Sequence, residues 1–435
     1  MRNSFKYSSF KKDTLLIGLL DKAIKTDYVS VMISSLLDGQ IKLPKDYINY
    51  ELIAGFGAKE IIISNNNSFD RLYDFHLDKK DWLFGYLSYD LKNEVEQLTS
   101  NNSDNVPADN LLFFIPEYVF LFSNGELEVQ TENEKCICDE FVRSFNFRGF
   151  QSNSINVKFT ARDNKSAYLN KIEKIKEHIQ RGDIYEMNYC QEFYAEEIEM
   201  LAEDVFLKLN STMKAPFSSF LKLKDKYILS ASPERFLRKR GNKILTQPIK
   251  GTRKRGRNHE EDMRLIQSLR SSQKDMSENI MITDLVRNDL SITAKKKSVV
   301  VNELCKIYTF EKVHQMVTTV SSEIANSIKF TDVIKSAFPM GSMTGAPKLK
   351  AMELIEYFEE FKRGFFSGSV GYITPEADFD FNVVIRTILY NLANKYLSVG
   401  VGGAITIKSQ AVEEYEECLI KAQPLFEVLN FDTDD

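Results

Sequence analysis

The chain has 435 residues, 43% of them hydrophobic and 27% charged, with a formal net charge of −5. That is the composition of a globular protein with one large core or two domains. The acidic balance argues against a nucleic-acid partner, which selects a basic excess, but leaves room for a small anionic substrate held by local charge.

Near the N-terminus, TLLIGLLDKAIK has the apolar spacing of an amphipathic helix. The residues before it are basic, but the segment lacks the long apolar core and small-residue cleavage site of a signal peptide. No stretch is long and apolar enough to span a bilayer. Short strand-like runs follow (VSVMISS, EIIIS, DWLFGYLSYD, LFFIPEYVFLFS, ELEVQ), and TSNNSDNVPADN, Thr99 to Asn110, is a loop by composition. The five cysteines are Cys136, Cys138, Cys190, Cys305 and Cys418. They form no CxxC pair, so neither a zinc site nor a disulfide framework is indicated. KCICDE is expected to be a half-buried strand. The expectation is a reduced, cytoplasmic protein without membrane or nucleic-acid partners.

The polar stretch RGFQSNSINVKFTARDNKS is the candidate boundary between an N-terminal region, 1–155, and a second domain, 156–430. In YLNKIEKIKEHIQRGD, Leu169, Ile172, Ile175 and Ile179 predict a helix ending near Gly182. Strands are expected at MNYCQEFYAEE, SSFLKLKDKYILSAS, KILTQPI, GSVGYITP, FDFNVVIRTILYNL and KYLSVGVGGAITI. Helices are expected at HEEDMRLIQSLRSSQKDMSENIMITDLVRNDL, TDVIKSAF, APKLKAMELIEYFEEF and SQAVEEYEECLIKAQPLFEVL. Strands and helices do not alternate regularly. The predicted fold is therefore α+β, with large, mostly antiparallel sheets and surrounding helices.

Several clusters can carry chemistry. Glu234, in SASPERFL, follows a strand and a proline; such a carboxylate is either solvated or a site residue. Lys250, in PIKGTRKRG, is either a surface strand end or a desolvated amine, and desolvation lowers a lysine's pKa. Glu278 shares a helical face with Ile282 and Leu285, so it needs a partner such as a metal ion or an arginine. Glu413, Glu417 and Lys421 fall at i, i+4 and i+8. They form an exposed ion-pair face or, with the glycines Gly402 and Gly403 before them, a place for a carboxylate ligand. The loop GSMTGAPK lacks the P-loop spacing, but its Thr344 and N–H groups can face an anion at a helix start.

Taken together, GDIYEMNYCQEF, SASPERFL, PIKGTRKRG, DMSENIMITDLVRND, FPMGSMTGAPKLKAMELIE, SGSVGYITPEADFDFNVVIRT, VGVGGAITI and EEYEECLIKA resemble, in order, the chorismate-utilising enzymes. The resemblance spans about residues 155 to 428, and more faintly the N-terminal region. It implies a fold like that of anthranilate synthase component I and Mg²⁺ held by Glu278 and Glu417, a hard cation on carboxylates. It further implies a ring carboxylate held by Lys421 and the N–H groups around Gly402 and Gly403, and a pyruvyl carboxylate held by Arg386 and Tyr372. Glu234 matches the family's general acid, which needs a raised pKa. Lys250 points to the aminodeoxychorismate type, where a lysine attacks C2; anthranilate synthases carry alanine there. The runner-up is anthranilate formation, and the alternative of another class is a non-catalytic chorismate-binding subunit. The lysine with which isochorismate and salicylate enzymes activate water aligns with Glu186. Gln315, with His314 one place earlier, stands where the family often has a histidine. No glutamine-amidotransferase GxCxG motif is present. The expected nucleophile is ammonia, free or from a separate amidotransferase subunit.

Overall fold

The computed structural model describes residues 2–8, 10–35, 50–145 and 157–430. Its strands gather in two sheets of 12 and 10 strands, all of whose strand pairs are antiparallel. From edge to edge the first sheet runs Asn3–Tyr7, Glu126–Thr131, Tyr118–Ser123, Leu52–Phe56, Tyr28–Ile33, Phe217–Leu223, Lys226–Ser232, Thr387–Asn391, Tyr396–Ile405, Glu186–Ala195 and Gly345–Ala346. The second runs Ile249–Lys254, Val313–Glu323, Lys243–Gln247, Arg235–Arg240, Phe379–Val383, Ser369–Ile373, Leu83–Leu87, Leu111–Ile115 and Glu60–Ser64. The α+β architecture expected from the sequence is observed.

Inside its edge strands the first sheet is covered on both faces. Along Tyr118–Ser123, Tyr118, Phe120 and Phe122 join the core under the helices Lys12–Ala23, Lys165–Arg181, Ala202–Met213 and Ala411–Val428. The intervening Val119 and Leu121 join the core between the two sheets. A strand buried on both sides must be apolar throughout, hence LFFIPEYVFLFS. Pro116 cannot donate to a ladder, and here the chain leaves the second sheet and enters the first. Two other crossings follow the same plan. One lies at Pro233, between Lys226–Ser232 and Arg235–Arg240; the other lies at 384–386, between Phe379–Val383 and Thr387–Asn391.

Strands of both sequence segments share both sheets. Tyr28–Ile33 pairs with Phe217–Leu223, and Leu83–Leu87 pairs with Ser369–Ile373. A division near residue 155 therefore separates stretches of chain and not cores, and residues 148–156 of the bridging stretch lie outside the described residues. KCICDE is not a strand but part of the helix Lys135–Arg143. Cys138 and Val142, one helical turn apart, are its buried side, whereas Cys136 is exposed. The helix expected over 259–290 is two, His259–Ser271 and Gln273–Ser291, with Ser272 between them capping the second through Asp275 N–H. The run FDFNVVIRTILYNL is likewise two strands, one in each sheet.

Phe120 is fully buried and packs against the rings of Phe56, Phe141 and Phe145. Phe120→Ala should destabilise the fold by about 3–5 kcal/mol. The measurement is the urea midpoint, and an unchanged midpoint would contradict the two-sided core.

Candidate active site

Two of the crossings between the sheets, at 233–234 and at 384–386, carry site residues. At the first, the Glu234 carbonyl accepts from Val383 N–H at 3.0 Å, tying this crossing to the strand that leads into the other. Glu234 is 6% exposed, and its Oε1 accepts the Ser342 hydroxyl at 2.7 Å. Burial pushes its pKa up to about 7, against the opposing pull of Ser342 and Lys250. At the second crossing Arg386 has a φ of +53°, and its carbonyl accepts from Ala231 N–H at 3.0 Å. Its guanidinium donates to the Lys421 carbonyl at 2.5 Å. Burial pulls its pKa down to about 10, with Glu417 acting the other way.

Lys250 lies on Ile249–Lys254, whose register against Val313–Glu323 slips between Ile249 and Thr252. Gly251 sits in this bulge with φ +91°, and a Cβ there would stand 3.0 Å from Asp275 and Leu269. Only glycine meets both conditions without strain, so the Gly-Thr step makes a bulge and not a turn. Lys250 donates to Glu186 Oε1 at 2.9 Å, with its side chain 11% exposed and that of Glu186 1%. Burial acts to lower the lysine's pKa, but Glu186, Glu278 and Glu234 outweigh it, and the net shift is upward. Of the two alternatives for Lys250, the surface strand end does not hold and the desolvated amine is corrected: the side chain is largely buried, but its ion pair with Glu186 favours the ammonium.

Glu278, on Gln273–Ser291, faces the same space. Burial pushes its pKa up to about 7; Lys250 and Lys274 oppose this and Glu186 adds to it. Glu278 Oε1 and Glu186 Oε2 are buried without a hydrogen-bond partner. From Ala411–Val428 come Glu414, Glu417 and Lys421, at i, i+3 and i+7. Glu413 is exposed and points away, so the expected face is rotated by one residue. Lys421 reaches Glu417 Oε1 at 2.7 Å and the Gly402 carbonyl at 2.8 Å, and Lys274 reaches Glu414 at 3.3 Å. Lys421 holds Glu417 below the usual carboxylate range. A Cβ on Gly403 would stand 3.4 Å from Glu414 Oε2, 3.5 Å from Lys421 Nζ and 3.8 Å from Glu417 Oε1, so this glycine faces the charged cluster. A Cβ on Gly402 would instead strike the Tyr189 carbonyl at 2.1 Å; its bareness serves strand packing.

The structure thus brings together Glu234, Lys250, Glu278, Arg386, Gly402, Gly403, Glu417 and Lys421. It does not bring Tyr372 to them. On Ser369–Ile373 that ring packs against Trp82, Phe84 and Tyr50. It lines a separate cavity of about 60 Å³ with Arg235 and Asp380. The alternation of the strand turns it toward the N-terminal segment, so pairing it with Arg386 is corrected. Thr344 is fully buried, and its hydroxyl donates to the Met340 and Gly341 carbonyls of its own loop. His314 binds Asp262 and Thr309 away from the cluster, while the next residue, Gln315, is buried with Oε1 unpartnered. Among the described residues no three His, Cys, Asp or Glu side chains form a ready-made metal cage.

Four participants escape a reading of the sequence alone. Ser342 lies in a loop that looks like a generic turn. Lys274 precedes Glu278 by one helical turn, the spacing that could have marked it. Glu414 is masked by its neighbour Glu413. Glu186 is noticed only for the lysine it replaces, not as the partner of Lys250.

The family described as chorismate binding enzyme matches residues 52–427. A probable chloroplastic aminodeoxychorismate synthase from Oryza sativa subsp. japonica is 33% identical over 391 residues, 81% of this chain. This chain spans only 43% of the length of that relative. Aminodeoxychorismate synthase component 1 of Escherichia coli is 32% identical over 350 residues, 79% of this chain and 76% of that protein. Among solved structures, anthranilate synthase component I from Streptococcus pneumoniae superposes with a TM-score of 0.76 at 23% identity. The match covers 89% of this chain and 94% of that one.

Glu186→Gln should lower the pKa of Lys250, because it removes the carboxylate bonded to the ammonium. The pH dependence of Lys250 acetylation, followed by peptide mass spectrometry, checks this. An unmoved midpoint would dismiss the ion pair as the cause of the raised value.

Proposed function

We propose, for a chain that by these matches belongs to the chorismate-binding enzyme family, the activity of an aminodeoxychorismate synthase component I. It would convert chorismate and ammonia to 4-amino-4-deoxychorismate for p-aminobenzoate and folate synthesis. The observation that carries the reading is a largely buried lysine, Lys250, sharing one space with a carboxyl group, Glu234, whose pKa lies near neutrality. In the anthranilate type an alanine stands at that position. Both groups are present, which disfavours a non-catalytic binding subunit.

Chorismate is a dianion. Lys421 and the backbone beside Gly402 and Gly403 would take the ring carboxylate, and Arg386 the pyruvyl carboxylate. Glu278 and Glu417 fit Mg²⁺: both are oxygen donors, one oxygen of Glu278 is buried without a partner, and two carboxylates with water and substrate suit this ion. When bound, Mg²⁺ would neutralise charge at the ring carboxylate. Lys250 must lose a proton before it attacks C2, and Glu186, bonded to Nζ, is the acceptor at hand. Glu234 protonates the departing C4 hydroxyl, a step that requires its carboxyl form. Ammonia then adds at C4 and the lysine leaves as an amine. The ammonia would be free or delivered by a separate glutamine amidotransferase subunit. Five free cysteines and the lack, among the described residues, of a helix long and apolar enough to cross a membrane accord with a cytoplasmic setting.

Pure protein with chorismate, Mg²⁺ and an ammonium salt should form a product that gives p-aminobenzoate only after a lyase is added. Fluorescent anthranilate formed without a lyase would overturn the proposal in favour of the anthranilate type. Lys250→Ala should lower C4 amination by about 10²-fold or more, on the scale of a lost catalytic group; product chromatography reads this, and undiminished amination would remove Lys250 from the mechanism. Glu278→Gln and Glu417→Gln should each raise the Mg²⁺ concentration for half-maximal turnover and weaken Mn²⁺ binding measured by electron paramagnetic resonance. If neither changes, the metal assignment is wrong.

A further inference from the structure

We propose that Ser342 is the positioning residue for the acid Glu234: its hydroxyl occupies Oε1, so that the transferable proton sits on Oε2, the oxygen left for the departing hydroxyl. The inference deepens the proposed function, from which it takes the role of Glu234 as acid. Among the described residues Ser342 is the one hydrogen-bond donor to this carboxyl, at 2.7 Å, and both side chains are nearly fully buried. The other charged groups nearby are engaged elsewhere. Lys250 is bonded to Glu186, Asp289 across a small cavity to Lys348, and Arg235 to Asp380 and Gln247.

The loop that carries Ser342 is immobilised from several sides. Asn188 donates its side-chain amide to the Ser342 carbonyl at 2.8 Å and its backbone N–H to the Thr344 carbonyl at 2.7 Å. Arg363, fully buried, donates to the Met343 carbonyl at 2.7 Å and to the Asn188 carbonyl at 2.9 Å. Glu359 grips Arg363 through both carboxylate oxygens and accepts Cys190 N–H as well. Gly341 lies so close to the helix Gln273–Ser291 that a Cβ would stand 2.7 Å from Leu285. With the backbone on either side held this way, the hydroxyl is set within hydrogen-bond reach of the carboxyl, which is preorganisation. Donation to Oε1 also favours the ionised form. It therefore opposes burial and keeps the acid able to release its proton near neutral pH.

The test is the titration of Glu234 in the unliganded protein, read from the protonated-carboxyl infrared band that Glu234→Gln abolishes. Because Ser342 stabilises the carboxylate, Ser342→Ala should move the midpoint upward, and Ser342→Thr, which keeps the donor, should leave it in place. In turnover, Ser342→Ala should lower kcat by roughly tenfold, a fraction of what a general acid contributes. It should also move the alkaline limb upward and leave KM for chorismate within about twofold. An unmoved midpoint in Ser342→Ala, or equal losses in the alanine and threonine variants, overturns the proposal. The titration needs no substrate, so its outcome stands apart from the product assay: anthranilate from the wild type would sink the proposed function and leave the Ser342 result readable.

Discussion

The arrangement depends on one constraint: charges taken out of water must be partnered. Lys250 is tolerable inside the molecule because Glu186 accepts its proton-bearing nitrogen and Glu278 and Glu234 surround it. Those carboxylates are tolerable only in part. Lys274 and Lys421 answer Glu414 and Glu417, yet Glu278 and Glu186 each keep one buried oxygen without a donor. A surplus of buried carboxylate oxygen is what a hard cation resolves. The proposed dication and dianion would both be answering this charge balance.

The two sheets supply the geometry. A chain that passes from one sheet to the other must break its ladder, and the breaks leave backbone groups and side chains free to point into the interval. Pro233 ends one ladder and sets Glu234 at the break. Arg386 occupies the other break in a left-handed conformation that an arginine adopts only when its surroundings fix it. The two crossings are tied together by Val383 N–H to the Glu234 carbonyl and Ala231 N–H to the Arg386 carbonyl. Glu234 and Arg386 are therefore registered by backbone hydrogen bonds.

Much of this was legible from composition and period. The α+β class and the helix ending at Gly182 follow from local pattern, because each depends on neighbours in sequence; the order of the chemistry-bearing segments is legible through the family resemblance. What could not be read depends on neighbours in space. KCICDE has too few residues for its period to declare itself. The break inside FDFNVVIRTILYNL is invisible because both strands are apolar on both faces. Glu413 and Glu414 differ only in which side of a helix the packing of Cys418 and Ala422 selects. Tyr372 sits in a motif beside site residues, yet strand alternation sends its ring the opposite way. The strands Val300–Thr309 and Val313–Glu323, the second of which sends His314 and Gln315 to opposite sides, are not among the strands the sequence predicts.

Burial acts on Glu234, Arg386 and Lys250, yet with different outcomes. It raises Glu234, whose one donor is a neutral hydroxyl, to about 7. It lowers Arg386, which donates to a neutral carbonyl and feels Glu417 only across space, to about 10. It fails to lower Lys250, which touches a carboxylate directly. Desolvation sets the direction, and the charge of the nearest partner decides whether that direction survives. A neutral partner leaves Glu234 poised to give a proton near pH 7, while a charged one keeps Lys250 as an ammonium until that partner accepts its proton. The proposed displacement of a hydroxyl by an amine would need Glu234 protonated and Lys250 deprotonated, so the carboxylate bonded to Lys250, and not burial, is the group that would take up its proton.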